Sequence, residues 1–259
     1  MKDTKILTDN GVDVQASLEL FGDMETYNET LNDFLASVDK KLADIKKYKE
    51  AGDMPNYAIL VHSLKSDSKY LGFKLLADLS YQHELISKEN DANYVNANYN
   101  ELINEANRII AIVKKYVNNE SPVEIHELNR VKSDSKTILV VDDSDIIRNF
   151  IKKIFHDTYE VMIAKDGKEA IDIISVEEEG KIIGLFLDLN MPNIDGFAVL
   201  EYFKENNLFN KIPVAIITGD DSKEAIEKAF KYPIVDMLNK PFNEKDVKII
   251  VEKTVNYGK

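Results

Sequence analysis

Apolar residues recur at spacings of three and four through about the first 118 positions, then give way to short unbroken apolar runs. Val14, Leu18 and Leu20, bracketed by Gly11 and Gly22, predict a short helix. After Asp23, the series Tyr27, Leu31, Phe34, Leu35, Val38 and Leu42 lays one apolar stripe along a longer helix. Gly52 interrupts the pattern. Tyr57, Ile59, Leu60, Leu64 and Leu71 then predict a third helix, ended or bent at Gly72. A fourth runs through Leu75, Leu76, Leu79 and Leu85, and a fifth, beyond Asp91, through Leu102, Ile103, Ile109, Ile110 and Val113. Amphipathic helices joined by short turns argue for an all-α antiparallel bundle.

Residues 119–136 are polar and read as a linker, within which Val123 to Leu128 could form a helical stub. From residue 137 the apolar runs are strand-like: Thr137–Val141, Tyr159–Ala164, Ile182–Leu187, Pro213–Ile217 and Ile234–Leu238. Helical patterns alternate with them at Ser144–Phe155, Gly167–Ser175, Gly196–Phe209, Asp220–Phe230 and Asn243–Tyr257. Strand–helix alternation of this kind predicts a parallel sheet covered on both faces. The expected organisation is therefore a bundle over 1–118, a linker over 119–136 and an α/β domain over 137–259.

Four of these strands end on chemistry. The first runs into Asp142 and Asp143, and the third into Asp188 and a loop with Asn190, Pro192 and Gly196. The fourth runs into Thr218, and the fifth into Asn239, Lys240 and Pro241. Parallel α/β sheets carry their reactive groups beyond the carboxyl ends of the strands. Asp188 taken alone could equally cap the following helix. If the strands lie side by side, however, three carboxylates, a hydroxyl and an ammonium converge on one edge. Three crowded acids repel one another unless a cation sits among them, and Mg²⁺ takes oxygen ligands while keeping positions open for phosphate.

Residues 137–259 resemble a response-regulator receiver domain, with its acidic pair, acceptor Asp, Thr and Lys-Pro in order. The resemblance implies a flavodoxin-like, five-stranded parallel sheet with Asp188 as the phosphorylation site. It further implies that Asp143 ligates Mg²⁺ directly, Asp142 acts mainly through bound water, and the backbone carbonyl of Asn190 completes the metal site with Asp188. Thr218 and Lys240 would contact the phosphoryl group. Asn190 and Asp220 would flank the path of an attacking water, with small Gly219 between, so that the phosphoryl group is short-lived.

The third helix carries His62-Ser63-Leu64-Lys65-Ser66-Asp67-Ser68-Lys69. On a helix, His62, Lys65, Ser66 and Lys69 share one face. An imidazole among short and cationic groups reads either as a solvated surface histidine or as an acceptor for phosphorus. The stretch resembles the histidine phosphotransfer (HPt) domain, whose signature is His-x-x-Lys-Gly with a later Gly. His62, Lys65 and Gly72 match, while Ser66 stands where Gly is usual. The resemblance spans most of residues 11–117 and implies that His62 is a solvent-exposed phosphoryl acceptor assisted by Lys65.

Net charge of −13 disfavours nucleic acid and anionic membranes as partners. The absence of cysteine excludes disulfides and thiolate metal sites. No apolar leader core follows Met1, and no run reaches the length of a membrane helix, so a soluble cytoplasmic protein is expected. The resulting expectation is two-component phosphorelay signalling: transfer between His62 and Asp188, within or between chains, with Mg²⁺ as cofactor. A separate sensor histidine kinase is the implied partner, together with other receiver or HPt proteins, since no kinase catalytic domain is legible. The alternative is a receiver that acts as a phosphorylation-dependent interaction module or as a phosphate sink.

Overall fold

The computed structural model describes residues 4–118, 136–176 and 180–258. The chain divides into two compact units, Met1–Val131 and Lys132–Lys259. The expected linker over 119–136, with its helical stub, lies outside the described residues apart from Lys136.

The first unit comprises α1 (Lys5–Thr8), α2 (Val14–Phe21), α3 (Met24–Ala51), α4 (Met54–Tyr70), α5 (Lys74–Lys88) and α6 (Ala92–Asn118). Helices α3, α4, α5 and α6 pack in a ring, each against its sequence neighbour and α6 back on α3. Their connections are only a few residues long, so neighbours run antiparallel. Gly52 ends α3 in the left-handed conformation, and the Asp53 side chain caps α4 by accepting from the Asn56 N–H at 3.2 Å. Gly72, at φ +74°, turns the chain into α5. A Cβ at Gly72 would lie 2.3 Å from the Asp13 carbonyl oxygen, so glycine is what lets the start of α2 dock on this turn. The one-turn α1 is too short to announce itself by periodicity.

Helix α4 is the most buried member of this ring. Every residue from Val61 to Ser68 is buried, including His62, Ser63, Lys65, Ser66, Asp67 and Ser68. The neighbouring α5 differs in phase from the expected leucine stripe: Leu76 is buried, but Leu75 and Leu85 are 52% and 44% exposed. Its inward face is Leu76, Ala77, Ser80, His83, Glu84 and Ser87. The polar face of α4 recruits polar partners, and this overrides the leucine count.

The second unit is a parallel sheet in the order β2-β1-β3-β4-β5. Its strands are β1 (Thr137–Val141), β2 (Glu160–Ala164), β3 (Ile182–Leu187), β4 (Val214–Thr218) and β5 (Met237–Asn239). The helices are α7 (Asp145–Phe155), α8 (Gly167–Ser175), α9 (Gly196–Glu205), α10 (Lys223–Ala229) and α11 (Glu244–Val255). Strand β4 is buried along its length and β3 at all but one residue, as central strands covered on both faces should be. Two helices are shorter than their patterns by four residues each. Asn207, at φ +54°, stops α9, and Leu208 N–H closes back on the Phe203 carbonyl at 2.9 Å. Helix α10 starts at Lys223 because Ser222 is its cap, while Asp220 turns the preceding loop by accepting from Ser222 N–H. Among the described residues no helix is long and apolar enough to cross a membrane.

Candidate functional site

The strand order sets β1, β3, β4 and β5 side by side, so the residues at their carboxyl ends share one edge. Backbone bonds tie those ends together: Asp188 N–H donates to the Val141 carbonyl and Lys240 N–H to the Thr218 carbonyl, both at 2.8 Å. Asp142, Asp188 and Thr218 are buried there. The Lys240 ammonium bridges two of the acids, 2.6 Å from Asp142 Oδ2 and 2.5 Å from Asp188 Oδ2. The other oxygens take backbone donors, Ser144 N–H on Asp142 Oδ1 at 3.0 Å and Asn190 N–H on Asp188 Oδ1 at 3.2 Å. Thr218 Oγ1 accepts from Asp220 N–H at 3.2 Å. A Cβ at Gly196 would stand 2.2 Å from the Asp188 carbonyl oxygen, so the loop closes against the acid only because this residue has no side chain.

Asp142, Asp143 and Asp188 each offer a carboxylate oxygen, all within 4.8 Å of one another. Burial, followed by the Asp188 and Asp143 charges, pushes the Asp142 carboxyl up to about 7 against the pull of Lys240. Burial alone would lower Lys240, but Asp142, Asp188 and Asp143 outweigh it and hold the ammonium well above its ordinary range. A site of three hard oxygen donors, short of positive charge, fits Mg²⁺. The proton on Asp142 must leave before a cation can use that oxygen. Apparent Mg²⁺ affinity should therefore rise about fivefold between about pH 6 and about pH 7 and level off only above about pH 8. Calorimetric titration across this range checks it, and a flat profile would contradict the assignment of Asp142. The stability linkage has the opposite slope. Because the folded-state value is raised, the contribution of Asp142 to metal-free stability is complete at acid pH and is lost as pH climbs towards about 7.

The second cluster lies between α4 and α5 of the first unit. His62 was expected on a solvated face but is only 2% exposed, and Lys65 and Ser66 are buried with it; only Lys69 of that face meets solvent. The cause is Glu84 on α5, which the sequence reading missed. His62 Nδ1 lies 2.7 Å from Glu84 Oε1, and the Lys65 ammonium 2.5 Å from Glu84 Oε2. Lys88 adds a third donor at 2.7 Å, one turn further along α5. Burial opposes ionisation of Glu84, yet His62 and Lys65 overcome it and hold the carboxyl well below the usual range. Burial lowers Lys65 despite Glu84. His62 Nε2 is buried with no hydrogen-bond partner among the described residues. An imidazole that donates through Nδ1 carries its lone pair on Nε2. His83 is buried beside this cluster, on the same face of α5, with Nδ1 2.7 Å from the Tyr57 hydroxyl.

Residues 138–252 match the family model of the response regulator receiver domain. Chemotaxis protein CheY1 of Helicobacter pylori is 32% identical over 113 residues, 43% of this chain and 90% of that protein. Two-component response regulator ARR6 of Arabidopsis thaliana is 27% identical over 124 residues, 44% of this chain and 67% of the relative. Sensor histidine kinase TmoS of Ectopseudomonas mendocina is 26% identical over 130 residues, half of this chain but only 13% of the kinase. The acid cluster, Thr218 and Lys240 all stand at strand ends of the matched segment, and through that segment the chain belongs to the response regulator receiver family, whose setting is two-component signalling.

Proposed function

We propose that the chain carries a phosphoryl group between Asp188 of its receiver and His62 of an HPt-like bundle, within one molecule or between two. The observation that supports this reading is a buried His62 Nε2 with no hydrogen-bond partner among the described residues, on a ring whose Nδ1 is anchored on Glu84. An orphaned buried nitrogen is rare and costly, and a nucleophilic role is one of the reasons to keep one. In the transfer, the side chains that cover Nε2 must first move aside, and Nε2 then attacks phosphorus as the bond from phosphorus to the Asp188 oxygen breaks. The Nδ1 proton stays where it is, and the positive charge that develops on the ring is balanced by Glu84. Lys65 stands 3.3 Å from the ring and can turn its ammonium to the incoming group.

At the receiver, Lys240 and the Thr218 hydroxyl would hold phosphoryl oxygens, so the work there would be positioning and charge neutralisation. Mg²⁺ on Asp142, Asp143, Asp188 and the Asn190 carbonyl would supply further neutralisation. A sensor histidine kinase, or another receiver or HPt protein, is the donor this reading requires. Loading the Asp188→Asn chain with phosphoramidate tests the histidine. Phosphorus NMR should find one N–P linkage, on Nε2 of His62; a linkage on Nδ1, or none, would sink the assignment.

A second reading, the receiver as a phosphate sink, is favoured by one contact. Asn190 Nδ2 donates to Asp220 Oδ2 at 3.3 Å, so the two groups expected to flank the water path meet across it. That bond is long enough for a water to replace it and be held by both. The phosphoryl group on Asp188 should then last minutes, a barrier of about 20–22 kcal/mol. Leucine at both positions should lengthen its life several-fold, followed by phosphate release. A half-life of many hours in the unaltered chain with Mg²⁺ would contradict this.

A further inference from the structure

Arg148, on α7, is 7% exposed although it carries a permanent charge. It donates through Nη1 to the backbone carbonyl of Asp142 and through Nη2 to Asp145 Oδ1. Asp145 is half exposed and could pair with a solvated arginine, so the carbonyl is the partner that accounts for the burial. With that bond, every polar group of Asp142 is committed. Its N–H donates to the Ala164 carbonyl at 3.1 Å, one carboxylate oxygen takes Ser144 N–H, and the other takes Lys240. The same helix also packs near the Lys240 end of the site, where Phe150 stacks on Phe242 at 6.3 Å, two residues beyond Lys240.

We propose that Arg148 is a positioning residue for the cation site, clamping the turn after β1 so that the Asp142 and Asp143 carboxylates meet Asp188. Mg²⁺ demands near-ideal octahedral geometry, so small rotations of this turn cost affinity. The inference rests on the Mg²⁺ reading given above.

Charge and positioning make opposite demands on Arg148. A nearby guanidinium repels a cation, so removing it for its charge alone should strengthen Mg²⁺ binding. Removing a clamp should weaken it. A role confined to packing α7 would lower the melting temperature and leave the affinity of the folded chain unchanged.

The test is calorimetric titration of Mg²⁺ into the full chain, unaltered and as Arg148→Met, Arg148→Gln and Asp145→Asn, with circular dichroism to confirm folding. Both Arg148 variants should bind Mg²⁺ at least about tenfold more weakly. Asp145→Asn, which keeps the carbonyl contact, should stay within about twofold. Affinity equal to or above that of the unaltered chain in a folded Arg148 variant overturns the proposal. So does a loss in Asp145→Asn as large as that in Arg148→Met. Should Arg148→Met fail to fold, Arg148→Gln, which keeps a shorter polar side chain, decides alone. No binding by the unaltered chain would instead refute the Mg²⁺ reading.

Discussion

Asp188→Asn should give a folded chain whose receiver accepts no phosphoryl group. The exchange is nearly isosteric, and its local cost follows from the contacts. An amide can still accept from Asn190 N–H through its oxygen, but its NH₂ then faces the Lys240 ammonium in place of a carboxylate 2.5 Å away. Lys240 keeps Asp142 at 2.6 Å, so the buried cation is not orphaned. The carboxyl of Asp142 should meanwhile fall from its raised position, because the Asp188 charge is one of the groups that push it up. Loss of one ion pair and relief of one repulsion leave a net stability change within about 2 kcal/mol. The chemical loss, by contrast, is complete: an amide has no oxygen nucleophile to form an acyl phosphate. Intact-mass measurement after exposure to acetyl phosphate and Mg²⁺ reads it. A stable phosphorylated species would move the acceptor to a neighbouring acid.

His62→Ala should abolish phosphorylation of the bundle and also destabilise it. A solvated histidine could be truncated at no structural cost, whereas this one is buried and bonded. Truncation leaves a cavity and leaves Glu84 buried with its two lysines but without the imidazole N–H. Loss of a hydrogen bond to a charged, buried acceptor costs about 1.5–3 kcal/mol, and the cavity adds to it. His62→Gln, which can present an N–H to Glu84 Oε1, should recover most of that stability and none of the phosphorylation. Urea denaturation and phosphohistidine detection on both variants separate the two effects. An Ala variant as stable as the unaltered chain would contradict the buried geometry. Label persisting in either variant would mean another residue accepts.

Receiver chemistry was readable because each reactive residue closes an apolar run, and a parallel sheet puts such positions on one edge. Asp142, Asp143, Asp188, Thr218 and Lys240 needed only adjacency of their strands, which the order β2-β1-β3-β4-β5 supplies. The bundle was harder. Its helices followed from periodicity, but Glu84 lies 22 residues from His62 and belongs to the site only through packing. Four leucines on α5 suggested a phase that would turn Glu84 away. A polar run from His62 to Ser68 looked solvated, although helices on either side bury it. Spacing along one helix says which residues share a face; what that face meets is decided by its neighbours. Arg148 was hidden for the same reason, since its partner is a backbone carbonyl that no side-chain pattern can advertise.

The central claim is that one phosphoryl group passes between Asp188 and His62. The most direct measurement mixes two full-length variants of different mass. His62→Gln, labelled on Asp188 by radioactive acetyl phosphate with Mg²⁺ and freed of donor, is added to Asp188→Asn, which retains His62. Label should appear on the Asp188→Asn chain as acid-labile, base-stable phosphohistidine while it leaves the first chain. The same mixture with His62→Gln, Asp188→Asn as recipient should show none. If all the label instead ends as inorganic phosphate, and the unaltered chain given the same donor forms no phosphohistidine either, the two sites do not exchange and the relay account is wrong.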